Sequence, residues 1–131
     1  MQARILKHQQ TRPKHWPTIE EPIQLAKSIK NQDKANVCLL VDCLTLWLSN
    51  ILFSRQGELQ QAVFQQETQT LALSNFSGQL ILVSNEIGLG VIPMHKMTRR
   101  FVDEAGLLHQ QIALLSHRVV LVTAGLPQIL K

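Results

Sequence analysis

The order of apolar and polar positions along the chain predicts alternating helices and strands. Uninterrupted apolar runs occupy 37–41, 80–83 and 119–122, and such runs are typical of strands buried on both faces of a parallel sheet. Strands separated by helices favour parallel pairing, so these three are expected to share one sheet. The chain is therefore predicted to be α/β. The segments predicted as helices are 2–10, 20–30, 44–53, 58–73 and 97–116.

Start and stop signals set the limits of several of these elements. Glu20, Glu21 and Pro22 predict the start of a helix, since acids and proline are favoured in a first turn. Segment 97–116 has the most regular helical period, and 124–127 is expected to break the third strand and leave 128–131 as a tail. The apolar positions of that helix step by four and three residues: Phe101, Ala105, Leu108, Ile112 and Leu115. Of these, Phe101, Leu108 and Ile112 are predicted to be core, and Trp47 is predicted to be core or interface.

Composition limits the classes of function. The 131 residues suit one domain, and 45% hydrophobic with 17% charged residues is typical of a soluble globular protein. The net charge of +4 is spread along the chain, which argues against nucleic acid as a partner. Apolar runs are too short to span a membrane, and Cys38 and Cys43 are expected to be small buried thiols of a reducing compartment. We expect a cytoplasmic protein with no membrane span.

Two strands end in carboxylates, which is the strongest chemical signal in the sequence. The run 37–41 is followed by Asp42, and 80–83 is followed by Ser84, Asn85 and Glu86. In nucleotide-binding α/β proteins such a strand delivers an acid to the sheet edge where Mg²⁺ and phosphates bind. Asp42 is therefore predicted to hold Mg²⁺, directly or through water, while an N-cap of the next helix is the alternative. The usual phosphate-loop pattern GxxxxGK[ST] does not occur in the sequence.

Several segments, in order, carry a resemblance to a known family. They are 4–20, with Arg4-Ile5, His8, Arg12-Pro13 and His15-Trp16; 42–50; 83–93; 99–106; and 124–127. Together they resemble the bifunctional adenosylcobinamide kinase / adenosylcobinamide-phosphate guanylyltransferase family of cobalamin biosynthesis. The resemblance extends over essentially the whole chain.

The resemblance implies a fold that is larger than this sequence. Members of the family have a P-loop NTPase-like (RecA-like) three-layer domain with a mostly parallel sheet. The strand, phosphate loop and second strand that open that fold, on the order of thirty to forty residues, are expected to be missing before Met1. Residues 1–131 are then one partial domain, either because the gene model starts at an internal methionine or because the gene is truncated.

The resemblance also implies an activity. The family phosphorylates adenosylcobinamide with ATP or GTP, then transfers GMP from GTP through a guanylylated histidine to adenosylcobinamide phosphate, giving adenosylcobinamide-GDP. Mg²⁺ accompanies the nucleotides, and the full-length enzymes are expected to be homotrimers. Without the phosphate loop the kinase step is expected to be lost. The alternatives are an inactive remnant or mis-started product without nucleotide binding, and a subunit that completes a chain supplying the loop.

Site residues follow from the matched segments. His8 is the expected nucleophile, because a neutral imidazole is available near pH 7, and a solvated helix residue is the alternative. Glu20 is a candidate nucleotide contact or a helix N-terminal charge. Arg99 is a candidate phosphate contact or a solvated helix end. The other nucleotide-binding candidates are Gln9, Gln10, Thr11, Arg12 and Asp42.

One loop is expected to meet the corrinoid substrate or another subunit. It contains Asn85, Glu86, Gly88 and Gly90, with Arg99 following, and the two interpretations remain open. The chain departs from the family near this loop, since family members often carry Asn-Gln where this sequence has His109-Gln110.

Overall fold

Helices and strands alternate over most of the chain, as the sequence predicts. The structure, a computed structural model, describes residues 13–53, 61–73 and 75–131. The predicted helix over 2–10 lies outside these ranges. The elements are α1 (Leu25–Asn31), β1 (Cys38–Asp42), α2 (Leu44–Leu52), α3 (Gln61–Leu73), β2 (Gln79–Val83), α4 (Lys96–Leu115), β3 (Val120–Thr123) and β4 (Leu126–Ile129).

Strands β1 and β2 form a parallel pair, which confirms the predicted pairing for these two strands. The register runs from Cys38 opposite Gln79 to Asp42 opposite Val83. The two strands therefore end side by side, and the residues that follow them leave the same edge of the sheet. At the other edge the Gln79 N–H donates to the Val37 carbonyl at 2.8 Å, which fixes the start of the pair.

The parallel pair is covered on one face only, so the expectation of strands buried on both faces is wrong for the described residues. Leu39 and Leu82 pack against the core, while Leu40 and Ile81 on the opposite face are 51% and 48% exposed. Cys38 lies on this open face and is exposed, contrary to expectation. Burial alternates because the described helices pack against a single side of the strands.

The core lies between the four helices and the packed face of β1 and β2. Helix α2 contacts α3 and α4, and Leu48 and Ile51 at its centre have no solvent exposure. Trp47 is buried, as predicted, and its indole N–H donates to the Ile23 carbonyl at 2.9 Å. Leu115 continues the apolar period of α4 but is 54% exposed because it lies at the end of the helix. In the described ranges no helix has both the length and the apolar character needed to cross a bilayer.

The third strand does not join the parallel pair. Strand β3 pairs antiparallel with β4 in a separate two-stranded sheet. For the described residues, the predictions that the third strand shares a sheet with the first two and that 128–131 is a tail are therefore wrong. Ala124 (φ 52°) and Gly125 (φ 76°) both adopt positive φ, which makes a two-residue hairpin turn. Pro127 is compatible with β4 because, in an antiparallel pair, the N–H of every second residue points away from the partner strand and makes no hydrogen bond to it.

Helix α1 begins later than predicted. The Glu21 carboxylate accepts the N–H groups of Ile23 and Gln24, at 3.0 and 2.8 Å. Gln24 (φ −86°, ψ 54°) then forms an inverse γ-turn in which the Leu25 N–H donates to the Ile23 carbonyl. This turn interrupts the helical hydrogen bonds, so the helix begins at Leu25 and Glu20 lies outside it.

Candidate functional site

The aligned carboxyl ends of β1 and β2 bring the predicted acids to one edge of the sheet. Asp42 is the last residue of β1 and is exposed. Cys43, with extended backbone (φ −141°, ψ 158°), occupies the N-cap position of α2, so the interpretation of Asp42 as the cap is wrong. Asp42 and Val83 are register partners on the open face, which leaves the Asp42 carboxylate accessible from that side.

A chain of hydrogen bonds crosses this edge on the packed side and joins three elements. The Asn85 N–H donates to Thr45 Oγ1 at 2.8 Å, and Thr45 Oγ1 lies 3.1 Å from Ser84 Oγ. Ser84 Oγ lies 2.7 Å from Nε2 of His109 in α4. The other ring nitrogen of His109, Nδ1, lies 3.6 Å from Glu86 Oε2. Residues that follow β1 and β2 are thus connected to the middle of α4.

Ser84, His109 and Glu86 have the order of a Ser–His–acid triad, but the surroundings do not suit acyl transfer. In such sites the N–H that follows the serine stabilises the oxyanion. Here that N–H belongs to Asn85 and donates to Thr45. Ser84 is also partly buried. The arrangement therefore holds the edge of the sheet in place, and a hydrolase nucleophile is not supported.

The loop between β2 and α4 is fastened at both ends and presents apolar side chains. At its start Glu86 accepts the Gly88 N–H, and a Cβ added to Gly88 would lie 2.8 Å from the Glu86 carboxylate. At its end the Arg99 guanidinium donates to the carbonyls of Pro93 and Met94. Four large apolar side chains in between are 78–97% exposed: Leu89, Val91, Ile92 and Met94.

Arg99 and Glu20 are placed differently from what the sequence suggested. Arg99 Nη1 donates to two backbone carbonyls of its own loop, so Arg99 helps to hold the loop in shape. Neither of its two predicted roles, a solvated helix end or a phosphate contact, includes these hydrogen bonds. Glu20 is exposed and precedes α1 by five residues, so its interpretation as a helix N-terminal charge is wrong. A nucleotide contact for Glu20 stays a prediction.

The structure brings some of the predicted site residues together and does not reach others. Asn85, Glu86 and Gly88 follow the end of β2, beside Asp42 at the end of β1. Gly90 lies further along the same loop, where an added Cβ would meet nothing within 4 Å. The nucleotide-loop candidates His8, Gln9, Gln10, Thr11 and Arg12 lie outside the described residues.

The donor set at this edge suits a hard cation. On the exposed side of this edge the carboxylate of Asp42 and the side-chain amide of Asn85 offer oxygen atoms, which Mg²⁺ prefers. Among the described residues no group of three or more His, Cys, Asp or Glu side chains could enclose a metal. A nucleotide-bound Mg²⁺ usually takes only one or two ligands from protein carboxylates, and waters and phosphate oxygens supply the others. A single exposed carboxylate is therefore sufficient. Asp42 is the residue that would hold it.

Sequence reasoning missed three of the residues that organise this edge. The sequence pattern assigns no role to Thr45 and Ser84, which lie in the matched segments, and marks His109 only as a departure from the family. His109 lies four residues after Ala105 in α4, on the same face as the buried Leu108. A histidine on an apolar stripe was the available signal. Ser84 and His109 are 25 residues apart in sequence, and Thr45 and Ser84 are 39 apart, so no local pattern specifies these contacts.

These observations define a class of protein: an α/β chain with oxygen donors where two parallel strands end side by side. A family model described as cobinamide kinase / cobinamide phosphate guanyltransferase matches residues 1–130. The chain belongs to this family.

Curated relatives agree with the family model. The bifunctional adenosylcobalamin biosynthesis protein CobP of Pseudomonas aeruginosa is 48% identical over 131 residues, covering 100% of this chain and 75% of the relative. The bifunctional adenosylcobalamin biosynthesis protein CobU of Escherichia coli is 34% identical over 138 residues, covering 96% and 76%. The protein of the same name from Salmonella typhimurium is 31% identical over 137 residues, with the same coverage. The family is thus one of transferases named for cobalamin biosynthesis.

Proposed function

We propose that this chain carries the nucleotide- and substrate-binding part of a cobinamide kinase and guanylyltransferase. The observation that carries the proposal is the exposed Asp42 at the aligned ends of β1 and β2, beside the Ser84–Asn85–Glu86 segment, in a chain that matches the family over residues 1–130. The full reaction phosphorylates adenosylcobinamide with ATP or GTP and then transfers GMP from GTP. We take 1–131 as one domain of the P-loop NTPase-like type, in an enzyme that assembles as a homotrimer.

The guanylyl transfer is proposed to use His8 as the nucleophile. A neutral ring nitrogen attacks the α-phosphorus of GTP, a nitrogen–phosphorus bond forms, and pyrophosphate leaves with the electron pair of the broken bond. A phosphate oxygen of adenosylcobinamide phosphate then attacks the same phosphorus. The nitrogen–phosphorus bond breaks, His8 recovers its electron pair, and adenosylcobinamide-GDP forms. The support for His8 is its position between Arg4-Ile5 and Arg12-Pro13 in the matched segment.

Asp42 and the nucleotide-loop residues are proposed to hold the nucleotide. Mg²⁺, when bound, neutralises phosphate charge that builds up during transfer. Asp42 is the carboxylate positioned to hold that ion. Arg12 suits the phosphates because its planar guanidinium can bind two oxygens at once. Gln9, Gln10, Thr11 and Glu20 complete the proposed contacts with GTP or ATP.

The apolar loop after β2 is proposed to meet the cobinamide substrate. Its exposed side chains, 78–97% accessible over Leu89, Val91, Ile92 and Met94, offer a surface for a large, partly apolar molecule. Arg99 and Glu86 fasten the ends of the loop, so the surface is presented in a defined place. The same exposed apolar surface is also suited to contact with another subunit.

A labelling experiment tests the transferase step. The purified chain is incubated with Mg²⁺ and GTP labelled at the α-phosphate, then denatured and analysed for bound label. We expect label on the chain, none in His8→Ala, and retention in the matched control His15→Ala. We expect about a hundredfold slower labelling in Asp42→Asn, the loss typical for a group that stabilises developing charge.

Other outcomes separate the alternatives. Absence of label at high GTP concentration contradicts the proposal for this chain and supports an inactive remnant. Label that appears only after addition of an N-terminal fragment carrying a phosphate loop supports a complementing subunit. Label that persists in His8→Ala contradicts the assignment of the nucleophile.

A further inference from the structure

His109 is the side chain through which α4 reaches the carboxyl edge of the parallel pair. Its ring is partly buried, with 25% of the side chain exposed, between Ser84 Oγ on one nitrogen and Glu86 Oε2 on the other. The Ser84 contact of 2.7 Å is an ordinary hydrogen-bond distance. A histidine with a hydroxyl at hydrogen-bond distance from one nitrogen and a carboxylate near the other has a favoured tautomer, and the tautomer decides which way the neighbouring hydroxyls point.

The direction of the hydrogen-bond chain can be worked out from its two ends. At one end the Asn85 backbone N–H is a donor, so Thr45 Oγ1 accepts from it. At the other end the Glu86 carboxylate lies 3.6 Å from Nδ1, beyond hydrogen-bond distance, and its negative charge favours the ring tautomer that carries its proton on Nδ1. Nε2 is then an acceptor and takes the proton of Ser84. Ser84 Oγ in turn accepts the proton of Thr45, and each hydroxyl donates and accepts once.

We propose that His109 is a positioning residue of the nucleotide edge: its neutral ring, protonated on Nδ1, accepts the Ser84 hydroxyl and thereby fixes the Ser84, Thr45 and Asn85 groups beside Asp42. The proposal rests on the proposed function, since it assigns a purpose to the rigidity of that edge. His109 acts through Ser84 and Glu86 and takes no part in bond making. The ring also ties the start of the substrate loop to α4, because Glu86 accepts the Gly88 N–H as well.

Four substitutions distinguish this role from simple packing. His109→Leu fills a comparable volume on the apolar face of α4 but offers neither an acceptor for Ser84 nor a donor for Glu86. His109→Gln and His109→Asn each carry an amide with both an acceptor and a donor. Ser84→Ala removes the hydroxyl between His109 and Thr45 and leaves the ring in place.

The activity test compares these variants in the labelling reaction with α-labelled GTP. We expect His109→Leu to label about 10- to 100-fold more slowly, the range seen when a group that orients a ligand-binding residue is removed. At least one of the two amide variants should recover to within about threefold of the unsubstituted chain. Ser84→Ala should also label more slowly than the unsubstituted chain. The double variant His109→Leu/Ser84→Ala should label no more slowly than either single variant, because both residues act through the same series of hydrogen bonds. Equal rates in His109→Leu and the unsubstituted chain, or loss in both amide variants, would overturn the proposal.

A second measurement tests the position of His109 even if the chain is not labelled by GTP. Nitrogen NMR of the ring should show neutral His109 with its proton on Nδ1 in the unsubstituted chain. The Asn85 amide should exchange with solvent about fivefold faster in His109→Leu, the factor that corresponds to one neutral hydrogen bond. A proton on Nε2, or unchanged Asn85 exchange, would refute the positioning role by itself. Absence of labelling together with the expected NMR result would refute only the proposed function.

Discussion

Adding a single methyl group at Gly78 should separate the two parallel strands at their start. Gly78 directly precedes β2, where the chain passes beside the segment that leads into β1. A Cβ built on Gly78 would overlap the Val37 carbonyl oxygen and lie 2.6 Å from the Lys34 carbonyl oxygen. Both atoms are backbone and cannot rotate away. The Val37 carbonyl also accepts the Gln79 N–H at 2.8 Å, so moving it disturbs the first hydrogen bond of the pair.

The magnitude follows from two opposing terms. Inserting a methyl group into occupied space costs about 1–3 kcal/mol, and the upper half of that range applies because backbone must move. The lower entropy of the unfolded chain after a Gly→Ala change offsets about 0.4–1 kcal/mol. The net loss in the free energy of unfolding is therefore about 2 kcal/mol. With an unfolding entropy of about 2.1 cal/mol/K per residue, this lowers Tm by about 7 °C.

Gly106 provides the matched control for Gly78. It lies inside α4, and an added Cβ would meet nothing within 4 Å. Gly106→Ala should therefore raise the free energy of unfolding by about 1 kcal/mol, the difference in helix propensity. Both variants are compared by urea denaturation and thermal melting followed by circular dichroism. The reasoning is refuted if Gly78→Ala is as stable as the unsubstituted chain, or if both glycine variants are destabilised equally.

Three further changes test other parts of the structure. Trp47→Phe should lower the free energy of unfolding by about 2 kcal/mol, since it removes the hydrogen bond to Ile23 and leaves a gap in the core; an unchanged denaturation midpoint would contradict this. Because Leu40 and Ile81 expose an apolar strip, we expect copies of the chain to associate through this face, and Ile81→Lys should shift sedimentation toward the monomer; equal association in both proteins would contradict this. Arg99→Ala should release the loop carbonyl at Pro93 and make the loop more sensitive to limited proteolysis, with unchanged cleavage as the contrary result.

The sequence predicts the elements that are long or strongly patterned. Prediction and structure agree within a residue for α2 (44–53 against Leu44–Leu52) and α4 (97–116 against Lys96–Leu115). The carboxyl-edge position of Asp42 was also predicted, because an apolar run that ends in an acid places the acid at the end of a strand. These features depend on local periodicity, which a sequence displays directly.

The hairpin at the end of the chain was missed for a physical reason. Ala124 adopts positive φ, although its Cβ makes that conformation unfavourable, so the Asn-Gly or Asp-Gly signal of a tight hairpin is absent. Pro127 also argued against a strand, and it is tolerated only because β4 pairs on one side. Tertiary contacts favour the turn, since Lys131 Nζ donates to the carbonyls of Ala113 and Leu114 at the end of α4.

The alternation between exposed and partly buried side chains continues past the end of β2. It gives the site an exposed side and a packed side. Asp42, Val83 and Asn85 are exposed, whereas Ser84 between them is partly buried and turns toward α2 and α4. Hydrogen bonds on the packed side hold the backbone of the edge, because the Asn85 N–H and the Ser84 hydroxyl are both engaged there. The exposed oxygens of the same segment remain accessible from the open side. Among the described residues, the side of Asp42 and Asn85 is therefore the one left open to the proposed ligand, and His109 lies on the opposite, packed side.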